Sequence, residues 1–491
     1  MSKIAQQSIQ TTIFSYCGVV LGYINVLWLY PYALDATELG TFRTIQDLGL
    51  LMVPFAQLGV GHGITRFFPK LEQNQSAFLS YSLVFSLLGF VAVSGIFFGF
   101  QQQLVALFAV NSPEVINFLG IVLLITLFAL LNSVLDAYSR SYLKVAIPTF
   151  FREVFLRLLT SILIGTYLLG WIDFEQVMQG LVAVYGLTLF GVLTYLIWLG
   201  KIHLDFNWNH FPAGFRSSFI RFSLITFLAT AASTLIMKID SIMVSSMVSL
   251  EANAIYSIAF YMALVVELPR RAISQVAMPV IADHFAKNQI PAINGLYRQI
   301  SNRQLYICLL LFALIWCNID SIYHFVPNRE IYQAGKWVVF YIALGKIFDV
   351  AFSVNSEILV FSAYYRFNLV LTIAMSILII GVNYWLIPVF GIEGAAIGSA
   401  TVMLAFNLVK YFYLKIKLGL DPFSRESFKI LLVGMTAFTG MFLSSEAIAP
   451  MLLMVVKSLL IVSVFAGMSW LLGVGSEEWS WIKARLKKSG P

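Results

Sequence analysis

Charge is what this sequence most lacks. Only 11% of its 491 residues are Asp, Glu, Lys or Arg, while 59% are hydrophobic, whereas a water-soluble chain is about 25% charged. So few charges cannot cover a water-facing surface, which excludes a soluble globular protein and makes lipid the solvent for most of the chain. Cysteine is scarce as well. Cys17, Cys308 and Cys317 lie in apolar runs without metal-ligand spacing, which excludes a disulfide framework or thiolate metal site and predicts three buried, inert thiols. A cleavage site of small residues is missing too. The polar start, with Lys3 as its only basic residue, runs into an apolar stretch from Ile13 that reads as a retained first helix, not a removed signal peptide.

What is present is a succession of apolar runs. A helix needs about 20 residues to cross the hydrocarbon core. Runs of that length fall near 12–30, 45–67, 77–99, 115–136, 149–169 and 177–199; a second six near 222–245, 254–278, 304–325, 336–361, 367–387 and 393–414; and two more near 429–447 and 451–473. The prediction is an all-α polytopic membrane protein with fourteen transmembrane helices. Residues 1–200 and 222–415 would form two six-helix lobes joined by a polar linker, 201–221, which contains His203, Asp205, His210 and Pro212. Residues 416–475 would hold the two additional spans, and 476–491 a basic amphipathic tail on the membrane surface.

Basic residues near helix ends stay on the cytoplasmic side. With the N-terminus inside, 22 of the 31 Lys and Arg residues fall on the cytoplasmic side, 3 (Arg43, Arg329 and Lys336) on the other, and 6 within spans. This predicts both termini in the cytoplasm, and it accounts for the net charge of +7 without any nucleic-acid partner. The outer loops are short, which excludes an outer catalytic domain. Trp28, Tyr30, Trp171, Trp198 and Trp385 stand at span ends as expected interfacial anchors.

The two sets of six show a weak parallel repeat. Leu39-Gly-Thr-Phe42 opens the second span as Asn253-Ala-Ile-Tyr256 opens the eighth. Pro54 and Pro269 follow as expected hinges, and Asn74-Gln75 and Asn288-Gln289 mark the loops beyond. Repeated halves with broken helices are how transporter folds build a substrate site near the midplane.

One stretch carries a family likeness. Asn383-Tyr-Trp-Leu-Ile-Pro-Val-Phe-Gly-Ile-Glu-Gly-Ala-Ala-Ile-Gly-Ser-Ala400 resembles the signature joining the eleventh and twelfth helices of polysaccharide transporters in the multidrug/oligosaccharidyl-lipid/polysaccharide (MOP) superfamily. Pro388 is read as ending one helix, Gly391 as the turn, and Gly394 and Gly398 as surfaces for close helix packing. Asp240-Ser-Ile-Met-Val244, Ala254-Ile-Tyr-Ser-Ile-Ala259, Pro269, Met278-Pro279 and Leu58-Gly-Val-Gly-His-Gly-Ile-Thr-Arg-Phe-Phe-Pro69 are similar to other helices of the family. The resemblance implies two lobes about a central cavity and an O-antigen-type flippase, with no catalytic residue. The implied cargo is an undecaprenyl-diphosphate-linked oligosaccharide, moved by alternating access to the periplasmic leaflet of a bacterial inner membrane. It implies no cofactor or metal, with protons, sodium or the membrane potential as energy source. Membrane lipids, a polysaccharide polymerase and glycosyltransferases are the other partners it suggests.

Such cargo needs cations and hydrogen-bonding groups shielded from lipid. The intramembrane candidates are Arg157, Lys238, Asp240, Glu267, Arg270, Arg271, Lys346, Asp349 and Glu357, with Lys457 a weaker one. Lys346 and Asp349 are three apart and are expected to share a face and neutralise each other. Asp349, Ser353 and Glu357 would continue it, either lining a cavity or clamping helices as a buried ion pair. Lys238 and Asp240 are two apart, so only one faces a cavity directly, and Asp240 matches the family motif. The glycines around His62, namely Gly59, Gly61 and Gly63, predict close helix packing, since no strand precedes them to make a cofactor loop. Two rival readings are a cation-coupled multidrug or other lipid exporter of the same superfamily, and a membrane-embedded polymerase or acyltransferase. The first expects acidic sites in the first lobe, which has only Asp47, Asp136 and Glu153 near span ends. The second expects a large outer loop or an intramembrane histidine, and His324 lies at an outer helix end.

Overall fold

The computed structural model describes residues 3–71, 74–442 and 449–474. The tail expected over 476–491 and the end of the span expected near 429–447 lie outside them. Every element among the described residues is helical, because a chain in lipid must satisfy its backbone groups within each segment. The chain is an all-α, multi-pass membrane protein. The principal helices are α1 (Lys3–Ile24), α2 (Ala36–Gln57), α3 (Val60–Phe67), α4 (Gln75–Gly99), α5 (Leu119–Ser141), α6 (Leu156–Leu168), α7 (Phe174–Trp198), α8 (Phe215–Met247), α9 (Leu250–Leu264), α10 (Leu268–Ala286), α11 (Ile290–Cys317), α12 (Lys336–Phe352), α13 (Asn355–Phe361), α14 (Tyr365–Leu418), α15 (Arg425–Ala437) and α16 (Pro450–Leu472).

Among the described residues, nine helices are long and apolar enough to cross a membrane, and eleven if each of two bent pairs is one span. The difference from fourteen has physical causes. The 54 residues of α14 cover two expected spans, broken at Gly391, whose φ of 57° and ψ of −134° are not helical. The fifth span is interrupted by a π turn at Phe150–Phe155 before α6.

The chain forms two compact units that divide at Ser257–Ile258, within α9. In the first, α2 packs on α4, α5 and α8. Its bend toward α3, 47°, falls not at Pro54 but one turn later, where Leu58 (φ 52°) and Gly59 (φ 75°) are left-handed. The Pro54 carbonyl still accepts from the Leu58 amide at 3.1 Å, so the helix survives its proline. A Cβ on Gly59 would lie 2.0 Å from the Ser223 carbonyl oxygen, and one on Gly63 2.5 Å from Ser223 Oγ. The expected close packing on α8 is therefore present at both, whereas Gly61 meets only the Gln57 side chain. The two repeat openings touch: a Cβ on Gly40 would lie 2.0 Å from the Leu250 carbonyl, and the Asn253 amide donates to Thr44 Oγ1 at 2.9 Å. Trp28, Trp171, Trp198 and Trp385 are exposed, but Tyr30 is buried against Phe42 and is core, not an anchor. Cys17 is likewise exposed, unlike Cys308 and Cys317.

In the second unit a 3-10 turn, Val265–Glu267, separates α9 from α10, and Pro269 sits in the first turn of α10, where its missing N–H costs nothing. The helix α12 ends at Ser353 (φ 54°, ψ −127°), with a 46° bend into α13. Asp349, Ser353 and Glu357 therefore do not form one continuous helical face, as their spacing had suggested. Around Gly391 the packing logic holds: a Cβ on Gly394 would lie 2.3 Å from the Leu386 carbonyl, and one on Gly398 2.5 Å from Asn383 Oδ1. Pro388 does not itself stop the helix, which breaks three residues later. Lys457 is buried and donates to the Cys317 carbonyl at 3.2 Å, tying α16 to the end of α11. The α14–α15 link is held at Asp421, which accepts from Lys415 at 2.9 Å. Burial would raise the Asp421 carboxyl, but the Lys415 bond, the Phe423 amide and the Lys415 and Arg298 charges outweigh it and hold it below the usual range.

Candidate functional site

Five charged side chains from three elements converge in the second unit. Glu267 ends the 3-10 turn, Arg270 and Arg271 open α10, and Lys346 and Asp349 lie on α12. Lys346 Nζ is 2.7 Å from Glu267 Oε2, and Arg270 Nη1 is 2.5 Å from Asp349 Oδ2 and 3.7 Å from Glu267 Oε1. Arg271 Nε lies 3.4 Å from Glu267 Oε1. Lys346 and Asp349 thus pair across helices and not with each other, because a carboxylate and a guanidinium one helix away complete both more fully than an i,i+3 contact. Side-chain exposure is 10% for Glu267, 14% for Lys346, 15% for Arg270 and 16% for Asp349. These are buried pairs, in which each charge depends on its partner. Arg271, at 45%, is the open member.

The break at Ser353 builds part of this site. The last carbonyls of a helix lack intrahelical partners. Here Ser301 Oγ donates to Ala351 O at 2.8 Å, Tyr297 Oη to Phe352 O at 2.9 Å and Arg270 Nη2 to Ser353 O at 3.4 Å. Beyond the cluster, Asn407 Nδ2 on α14 donates to Asp349 Oδ1 at 3.0 Å, and the Asn355 amide to Asn407 Oδ1 at 2.8 Å. Lys410 Nζ donates to Ser356 Oγ at 2.8 Å. Asn407 and Lys410 were not among the expected residues. The signal in the sequence is an amide and an amine three apart near the end of an otherwise apolar run. Glu357 stands near these on α13, with Oε2 buried and without a hydrogen-bond partner.

The remaining candidates lie in the first unit and are not part of this cluster. Lys238 Nζ is 2.5 Å from Asp47 Oδ1. Asp240 is buried and accepts from Tyr256 Oη at 2.8 Å. Arg157 Nη1 is 2.6 Å from Glu153 Oε2 and fills the notch left by Gly18 and Gly22 on α1. Asp136 is taken by Arg152 at 2.7 Å. His62 is exposed. Asp47→Asn and Lys238→Met are each expected to lower stability by about 1–3 kcal/mol, because each removes half of a partly buried ion pair. The double variant should recover most of that loss, as a thermal-unfolding cycle on detergent-purified protein would show.

The sequence matches no family model and no curated protein. The structure is similar to the inward closed conformation of the lipid II flippase MurJ, with a TM-score of 0.73 and 15% identity over 94% of this chain and 99% of that one. It is also similar to an inward-facing multidrug resistance MATE family transporter of the MOP superfamily, with a TM-score of 0.63 and 13% identity over 83% and 94% of the two chains. The fold is that of MOP transporters. A MOP superfamily transporter from Pyrococcus furiosus, noted for reversed polarity of its binding pocket, is similar at a TM-score of 0.56 and 12% identity over 85% and 95%. At such identities the likeness establishes the MOP fold, and residue roles have to come from this chain's own geometry.

Proposed function

We propose that this protein is a flippase, not an enzyme, that carries an undecaprenyl-diphosphate-linked oligosaccharide, such as an O-antigen repeat unit, from the cytoplasmic to the periplasmic leaflet of the bacterial inner membrane. Both termini would lie in the cytoplasm. The observation that carries this reading is the group of Arg270, Arg271 and Lys346 within membrane-spanning helices, the first and last buried and Arg271 half-exposed, whose three cations share the two carboxylates Glu267 and Asp349. Intramembrane charge is costly and is kept where it contacts polar cargo. Guanidinium groups suit the diphosphate because they bind its oxygens in a bidentate manner. Membrane lipids, glycosyltransferases and a polymerase fit as neighbours in such a pathway. The likeness to MATE transporters favours a second reading, export of amphipathic cations. That reading expects acidic sites in the first lobe, and Asp47, Asp136 and Glu153 there are all engaged by basic residues.

The test is periplasmic exposure of the lipid-linked oligosaccharide in cells that have or lack the protein and no redundant flippase. Exposure should fall and the lipid-linked unit accumulate in the inner leaflet when the protein is missing. Unchanged exposure would remove the proposal, and an altered efflux of cationic drugs would point to the second reading.

A further inference from the structure

The cations of the buried cluster are already occupied. Glu267 is within ion-pair distance of Lys346, Arg270 and Arg271, and Asp349 takes Arg270 and the Asn407 amide. A diphosphate cannot bind Arg270 and Lys346 while both carboxylates hold them, since the same donors would have to serve two anions. Conversely, an empty site stripped of carboxylates would leave cations buried and unpaired, at a cost of several kcal/mol.

We propose, on the basis of the flippase reading, that Glu267 and Asp349 are internal stand-ins for the cargo's anionic group. They close over the cations when the site is empty, yield them to the arriving diphosphate, and compete for them again to release it. The surroundings suit this exchange. Asp349 keeps Asn407 through Oδ1 while Oδ2 faces Arg270, so it can give up the arginine and retain a partner. Lys410 lies within electrostatic reach of Asp349 and makes no ion pair among those of the described residues, offering the displaced carboxylate another charge. Arg270 in turn keeps the Ser353 carbonyl, and its Nε is buried without a hydrogen-bond partner, a donor left over for the incoming anion. Arg271, half-exposed and held only at 3.4 Å, is the natural first contact.

The inference predicts a gain that a merely structural carboxylate cannot give: removing the stand-in should tighten anion binding. Farnesyl diphosphate is titrated into the full-length, detergent-purified protein, with farnesol and inorganic pyrophosphate in parallel arms. Asp349→Asn and Glu267→Gln should each lower the Kd for farnesyl diphosphate roughly tenfold, within the usual range for coupled ligands, and slow its dissociation, while transport in cells falls. Arg270→Gln should lose binding. Pyrophosphate bound as tightly as farnesyl diphosphate would assign the site to a free anion and not a lipid headgroup, which overturns the proposal as stated. If wild type binds the probe but both carboxylate variants bind it no more tightly, the stand-in role fails and the flippase reading survives. If wild type prefers farnesyl diphosphate no more than farnesol, the flippase reading itself fails. Should both variants fail to fold, the carboxylates are structural clamps and the proposal is overturned.

Discussion

Arg270→Gln is expected to abolish transport while the protein still inserts and purifies as a folded species. The guanidinium holds Asp349 at 2.5 Å, reaches Glu267 and donates to the Ser353 carbonyl, so it joins α10 to α12 as well as offering charge. Removing one partner of a buried charged pair costs about 2–5 kcal/mol, which is roughly 30-fold or more in anion affinity. Glutamine is shorter than arginine, so it gives up the reach to the Ser353 carbonyl as well as the charge and the fork. Lysine at this position should fare little better, because a point charge cannot span two acceptors as a planar guanidinium does. Lys346→Arg, by contrast, should retain most activity, since Lys346 makes a single contact to Glu267 Oε2. Complementation of flipping in cells, read beside size-exclusion profiles of the purified variants, separates these outcomes. Normal transport by Arg270→Gln would return the cluster to a purely structural role.

The second large effect is on stability. Gly59→Leu places a side chain where Cβ would lie 2.0 Å from a backbone carbonyl, and on a residue with φ of 75°. A non-glycine left-handed residue costs about 1–3 kcal/mol and overpacking about 1–3 more, so a loss near 4 kcal/mol is expected. Gly61→Ala is the comparison. Its Cβ would meet only the end of the Gln57 side chain at 3.0 Å, with no left-handed backbone, and the cost should stay under about 1 kcal/mol. Thermal unfolding in detergent measures both. Equal losses would show that α3 does not approach α8 closely at Gly59.

Much of this architecture is legible in the sequence, for identifiable reasons. Long apolar runs locate membrane helices because lipid imposes that pattern directly. The packing of Gly394 and Gly398 was legible because small residues four apart admit a close backbone. Glu267, Arg270 and Arg271 were legible as a group because they are neighbours in sequence. Their partners were not, because spacing rules see only along one helix, and Lys346 and Asp349 find better partners across to α10. The bends were misplaced for a related reason. Pro54 looked like the hinge, but the bend follows the left-handed pair Leu58–Gly59. Ser353 breaks α12 without a glycine or proline to announce it. Lys238 and Asp47 are 191 residues apart, and no local pattern links them.

The break at Ser353 has an electrostatic side. A helix carries about half a negative charge at its C-terminal end, and the end of α12 faces Arg270 through the Ser353 carbonyl. Two of the neighbouring carbonyls are already taken by Ser301 and Tyr297, so the arginine receives the pole's remaining open acceptor. That attraction does not depend on any carboxylate or on cargo. It gives Arg270 an acceptor of its own at the end of α12, one that stays in place while the anions around the guanidinium change places.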